Sequence, residues 1–291
     1  MSAKPIVACT DGSEESLRAV EWAAREAALR GAPMRIVSAA ALLPRMAERQ
    51  GGADVDTVAD VIRTDRDRAL AVAADRATAM SSGLLLDTDQ LTGQPAQAVT
   101  ESGSGALMLV VGSRGIGAFT AMVVGSVSRY AASHAPCPVV VVRDEAGATH
   151  RRVGIGLGDL DDCADSLTFA FEEASLRQAS LMALHVWHTP QSDISRAGQA
   201  FTGPGSHAAE AAAARELEGL LANWRDKYPD VPVSQDIVHS HPGRALVGLS
   251  ARVDLVVIGR HARHRALPGP GSVRHAVLNH AYGPIVVVPS S

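Results

Sequence analysis

The chain is expected to fold as two tandem doubly wound α/β domains, each a five-stranded parallel sheet with helices on both faces. Three observations lead there. Short, continuously apolar segments alternate with longer segments of helical period, the pattern of buried parallel strands joined by helical crossovers. The sequence also matches itself at a shift of 147 positions, with Trp22 on Phe169, Ala27 on Ala174, Arg30 on Arg177, Pro95 on Pro242 and Gly112 on Gly259. One residue is then missing, the shift becomes 146, and Gly125-Ser126 falls on Gly271-Ser272 and Pro138 on Pro284. A period this long makes each half a domain, and 291 residues suffice for two. The polar stretch from Arg143 to Arg152 has linker composition, which divides the chain into domains of residues 1–146 and 147–291.

In the first half, Pro5 to Thr10 is a short apolar run and reads as a buried strand. Asp11-Gly12-Ser13 turns the chain, and Ser13 caps a helix to about Arg30, whose apolar face is Leu17, Val20, Ala24 and Ala27 and whose stop is Gly31. Met34 to Ala39 is a second strand, followed by a polar segment and an Ala-rich helix from about Asp56 to Met80. Leu84 to Leu91, Ala106 to Val111 and Val139 to Val142 are the remaining strands, separated by helices over Pro95–Ser102 and Ser126–Ser133. The second half repeats the strands at Arg152–Leu157, Leu181–Trp187, Val233–His239, Leu255–Ile258 and Ile285–Val288. The fifth strands are short apolar edges, expected to pair with each other or across chains.

Composition narrows the function. Hydrophobic residues are 46% and charged residues 20%, which suits a globular core and excludes a disordered chain. Aromatics are only 3%, so the core must be Ala, Val, Leu and Ile. A net charge of −4 supplies no global field for nucleic acid or an anionic membrane, and neither is expected as a partner. No apolar run reaches the roughly 18 residues of a membrane-spanning helix. The N-terminus leads into a strand pattern without a signal-peptide block. Cys9, Cys137 and Cys163 have no disulfide or metal spacing, which implies a reduced, cytoplasmic setting, and Cys9 and Cys137, in or beside apolar strands, read as small buried thiols.

Open parallel sheets bind ligands beyond the carboxyl ends of their strands, where strand order reverses. Two first-half loops meet that condition: the one carrying Asp11, and the one running Val111-Gly112-Ser113-Arg114-Gly115, then nine residues, then Gly125-Ser126 at a helix start. Glycines let backbone N–H groups converge without a Cβ in the way, and a helix start adds unbonded donors and a positive dipole end. This arrangement is either a main-chain phosphate cradle or a set of tight turns, and the spacing alone leaves both open. Each polar residue likewise has a bland alternative: Asp11 as a cap, Arg114 as a solvated side chain, Ser126 as a helix cap. The GxGxxG fingerprint of hydride-transferring enzymes is absent after the first strand, and no Gly-Lys-Ser/Thr of a P-loop occurs.

The pattern Gly112-x2-Gly115-x9-Gly125-Ser126 resembles the ATP-binding motif of the universal stress protein family at every defining position. Asp11-Gly12-Ser13, Val111 to Gly115, Ala135 to Val142, Phe169 to Ala174 and Leu184 to Trp187 extend the resemblance over nearly the whole chain, as in the tandem subclass. It implies an adenine nucleotide α-hydrolase-like fold binding ATP, with or without Mg. By that resemblance Asp11 contacts the adenine or ribose edge and Ala39 meets adenine through its backbone. Val111 and Gly112 lie near the ribose, and Arg114, Gly115, Gly125, Ser126 and Val127 hold the phosphates. It further implies a homodimer, in which bound nucleotide biases conformation or contacts with a regulatory partner in a stress response. The alternatives are a slow ATP-hydrolysing enzyme of the same fold and a nucleotide-free structural module. An adenylating relative would carry Ser-Gly-Gly-x-Asp-Ser after the first strand, and here that loop reads Asp-Gly-Ser-Glu-Glu-Ser.

The second half departs from the motif. Gly158 falls where Asp11 should repeat, although Asp159 is adjacent, and Ala262 replaces the second loop glycine. The spacer before Gly271-Ser272 contains Pro268 and Pro270, and the loop carries Arg260, His261, Arg263, His264 and Arg265. A degenerate second nucleotide motif is expected. His261 and His264, with His239 and His241, lack acidic or cysteine companions at ligand spacing, so no metal is expected.

Overall fold

The Ser13 hydroxyl accepts the Ser16 N–H and starts the first helix, and Gly31, in the left-handed region at φ 59°, ends it. Between those caps Leu17, Val20, Ala24 and Ala27 are buried, so one stripe of the helix faces the sheet. The computed structural model describes residues 3–39, 55–115, 124–143, 149–158, 160–187, 204–260 and 272–290. The chain divides into two compact units, Met1–Asp144 and Glu145–Ser291.

In the first unit the order is β1 (Ile6–Cys9), α1 (Glu14–Arg30), β2 (Met34–Ala39), α2 (Val55–Met80), β3 (Leu86–Leu91), α3 (Pro95–Glu101), β4 (Met108–Gly112), α4 (Ser126–His134) and β5 (Val139–Val142). The sheet runs β3-β2-β1-β4-β5 and every pair is parallel, with Ile6 beside both Met34 and Met108. β4 and β5 are buried along their whole length, which is why they read as unbroken apolar runs. Edge strand β3 is largely exposed and reads Leu-Asp-Thr-Asp-Gln-Leu, a polar edge that discourages further pairing. α1 covers β1, β4 and β5 and packs against α2, while α3 covers β2 and β3 and packs against α4. The expected doubly wound α/β architecture is the one found.

The second unit repeats it as β6 (Arg152–Leu157), α5 (Ala164–Leu176), β7 (Ser180–Trp187), α6 (Pro204–Lys227), β8 (Val233–His239), α7 (Pro242–Ser250), β9 (Leu255–Arg260), α8 (Val273–His280) and β10 (Ile285–Pro289). Its order is β8-β7-β6-β9-β10, again all parallel. A short 3₁₀ turn, Leu160–Asp162, leads into α5. Aromatic packing is concentrated here: fully buried Phe171 stacks on Trp224 and Tyr228 at 5.7 and 5.4 Å between ring centres. Among the described residues, no helix is long and apolar enough to cross a membrane.

The repeat extends to chemistry that apolar patterning does not reveal. Buried Glu26 pairs with Arg30 at 2.5 Å, and buried Glu173 pairs with Arg177 at the equivalent place. Each pair satisfies a carboxylate that would be costly to bury alone. The turns that follow differ. Gln178 occupies the place of Gly31 and holds φ 49°, a left-handed conformation that disfavours a residue with a Cβ. Gln178→Gly is therefore expected to stabilise the second unit by about 1 kcal/mol, read from the midpoint of urea unfolding. Gln178→Ala, which keeps the Cβ, should give no such gain.

Candidate functional site

Strand order reverses between β1 and β4, and a cavity of about 460 Å3 opens there, at their carboxyl ends. Its volume lies within the range of ligand pockets. Asp11 and Ala39 line it from the ends of β1 and β2. Val111, Gly112, Arg114 and Gly115 line it from β4, and Gly125, Ser126 and Val127 from the start of α4. All nine residues singled out in the sequence meet in this one space.

The floor is a hydroxyl network that the sequence reading did not single out. Buried Thr10 and Ser16 share a hydrogen bond at 3.0 Å between their hydroxyls. The Ser16 hydroxyl accepts the Asp11 N–H and donates to the Ser13 carbonyl, and Thr10 accepts the Gly12 N–H. Asp11 acts in two directions. Its Oδ1 accepts both the N–H and the hydroxyl of Ser13, which fixes the first turn of α1. Its Oδ2 lies against Gly115, where a Cβ would come within 2.2 Å of it. The cap reading and the crevice reading of Asp11 both apply.

The glycines are needed for different reasons. A Cβ on Gly112 would stand 2.9 Å from the Glu15 carbonyl oxygen, so bare backbone at the end of β4 admits the first turn of α1. A Cβ on Gly125 would find nothing closer than 3.8 Å. The Gly125 N–H is committed to the Ser113 carbonyl at 2.9 Å, so Gly125 offers a ligand space rather than a donor. The donors come one step later: the first bond of α4 runs from the Arg129 N–H to the Gly125 carbonyl, leaving the N–H groups of Ser126, Val127 and Ser128 outside the helical ladder. Gly125 is the N-cap and Ser126 the exposed first residue of α4, so the Ser126 hydroxyl is not the cap.

Arg114 is half-buried and lies 3.5 Å from Glu15, so it is neither freely solvated nor buried in the core. Ser128 and Arg129 also line the cavity, and the Ser128 hydroxyl donates to the Gly112 carbonyl at 2.6 Å. Their signal in the sequence is position, within the first turn of the helix that follows the glycine motif. Arg66 had no such signal. From the middle of α2 it donates to the Ser38 and Leu91 carbonyls, at 2.8 and 2.5 Å, and ties the ends of β2 and β3 together beside Ala39. Burial and then Asp11 push the Cys9 thiol up to about 12, in line with an inert cysteine.

In the second unit, Ser272 is the N-cap of α8 and its hydroxyl accepts the His275 N–H, so the group that is exposed at Ser126 is spent there. Asp159, His261, Ala262, Arg263, His264, Arg265, Pro268, Pro270 and Gly271 lie outside the described residues. Among the described residues, no group of three or more His, Cys, Asp or Glu side chains is placed to hold a metal ion.

Two parallel α/β units, with a crevice at the first switch point, define a doubly wound α/β protein. The chain belongs to the universal stress protein family, whose model matches residues 2–143 and again residues 149–289. It is 34% identical to a universal stress protein of Mycobacterium tuberculosis, over 98% of this chain and 97% of that one. It is also 34% identical to a universal stress protein of Mycolicibacterium smegmatis, over 97% and 96% of the two chains. The crystal structure of a universal stress protein from Archaeoglobus fulgidus shares the fold, with a TM-score of 0.72 at 16% identity and full coverage of both chains.

The Asp11–Gly115 contact predicts coupled stabilities. Gly115→Ala must displace a carboxylate already committed to Ser13, so it is expected to cost about 1–2 kcal/mol, on the scale of a lost cap. Asp11→Ala should cost a similar amount, and the double variant clearly less than the sum, by denaturant unfolding. Cys9 is expected to stay protonated at pH 8 and to alkylate at least 100-fold more slowly than a free cysteine, on the order of its lost thiolate fraction. Mass spectrometry of iodoacetamide-treated native protein reads this directly, and Asp11→Asn should speed the reaction.

Proposed function

We propose that the first unit binds ATP in the cavity between β1 and β4, and that the protein is a cytoplasmic regulator of stress responses working as a homodimer. The carrying observation is convergence: nine residues from separate segments line one cavity at the switch point. The three N–H groups of α4 that lie outside its helical ladder form an anion-binding end, with Arg114 and Arg129 adding positive charge. Asp11 and Ala39 lie on the ends of β1 and β2, suited to the ribose and adenine, and the phosphates would lie over Ser126 and Val127. A carboxylate, two arginines and a helix start suit holding a polyphosphate. Bound nucleotide would then act by biasing conformation or partner contacts, with Mg able to accompany the phosphates.

Gly125→Val is the sharpest test, because the space around that Cβ lets the variant fold while filling the ligand's room. Losing two charge-assisted hydrogen bonds of about 1.5–3 kcal/mol each should weaken ATP binding 100-fold or more by titration calorimetry. ATP at about 100 times its dissociation constant should stabilise the unaltered protein by about 2.7 kcal/mol and the variant hardly at all. Unchanged binding by Gly125→Val would remove ATP from this cavity. Rapid release of phosphate from ATP by the unaltered protein would favour the enzyme reading instead.

A further inference from the structure

Arg66 sits where a ladder ends. β2 and β3 pair from Met34 beside Leu86 as far as Ala39 beside Leu91. There one guanidinium nitrogen of Arg66, Nη2, donates to both the Ser38 and the Leu91 carbonyls. The next residue of α2, Asp67, accepts the Gln90 side-chain amide, so two consecutive residues of the helix hold the end of β3. Arg66 is half-buried; burial acts against its charge, and the carboxylates of Asp67 and Asp89 favour it. Position 213 falls on Arg66 through the repeat and is Ala, so this clamp belongs to the unit with the intact glycine motif.

The clamp acts on the peptide that meets the cavity. Successive residues of a parallel strand turn their backbone groups to opposite neighbours. The Val37 carbonyl accepts the Thr10 N–H on the β1 side, so Ser38 faces β3 and Ala39 faces back toward β1. Ala39 lines the cavity on that side. The Ser38 carbonyl and the Ala39 N–H belong to one peptide group. A cation on the carbonyl polarises that group and strengthens the N–H as a donor. Pro95 and Val99, from α3, which packs on β2, line the same cavity and give it apolar walls suited to a flat ring.

We propose that Arg66 is a positioning residue that makes the first-unit cavity selective for a 6-aminopurine. It fixes the Ser38–Ala39 peptide so that the Ala39 N–H meets a ring nitrogen of the base and the Ala39 carbonyl meets its 6-amino group. Arg66 acts through that peptide and not by touching the ligand. The proposal rests on the reading that ATP occupies this cavity, and it adds what decides the base. A site built to hydrogen-bond a polar group rejects an analogue that lacks it, provided the site's own groups are held in place.

The test titrates ATP and purine riboside triphosphate, which lacks only the 6-amino group, into the full chain by calorimetry. The unaltered protein should bind ATP about 10-fold more tightly than the analogue, on the scale of one hydrogen bond. In Arg66→Met that ratio should fall to about 2-fold or less, with the analogue's own affinity changed by no more than about 3-fold. A merely structural Arg66 would weaken both ligands together and leave the ratio alone, and that result overturns the proposal. So does an unaltered protein that binds the two ligands equally. Arg66→Lys keeps the charge without the planar fork and covers a Met variant that fails to fold. A ratio for the Lys variant below half the unaltered value supports the proposal, and an unchanged ratio overturns it. ATP binding that Gly125→Val does not weaken removes ATP from the cavity and this proposal with it. Binding weakened by Gly125→Val, with an unchanged ratio in Arg66→Met, overturns the role of Arg66 alone.

Discussion

A parallel strand can be followed by another only through a right-handed crossover, and that constraint organises each unit. From β1 the chain winds one way to β2 and β3, and from β4 it winds the other way to β5. The crossovers leave in opposite directions on opposite faces of the sheet, away from the ends of β1 and β4. A crevice is left there without any side chain having been chosen for it. The second unit obeys the same rule between β6 and β9.

What fills each crevice then depends on a few close approaches. Gly112 lets the first turn of α1 press onto the end of β4, and that turn carries Ser16 to the cavity wall. Asp11 is held from one side by Ser13 and bounded from the other by Gly115. Arg66 fixes the ends of β2 and β3, so the wall that carries Ala39 is tied to a helix. Where the first unit has buried Ser113 and Ser128, the repeat gives the second Arg260 and Arg274, and the balance of charge changes with them. Divergence of the two halves is thus a change of chemistry on a retained frame.

Much of the fold was legible because its signals are local. The caps of α1, the Pro95 and Pro242 helix starts and the unbroken apolar runs of β4 and β5 each depend on neighbouring residues alone. Strand boundaries moved by a residue or two, as at β3 and β9, since a strand ends where its partner ends. The candidate site was legible as a glycine spacing and an acid, and the residues of that spacing do meet. Thr10, Ser16 and Arg66 were not, because hydroxyls and arginines of that kind occur throughout the chain and nothing local marks these.

The amino-acid sequence by itself determined the period of the repeat, the alternation of strand and helix, the family, and the loops that face the switch point. These follow from residue order and local chemistry. Only the tertiary structure decided what each residue does there. The Gly125 N–H is taken by Ser113, Gly115 is bounded by Asp11, and Ser126 is exposed while Ser272 caps. Each depends on atoms brought together from distant parts of the chain. A donor's availability is set by what lies within about 3 Å of it, and that is a property of the folded chain.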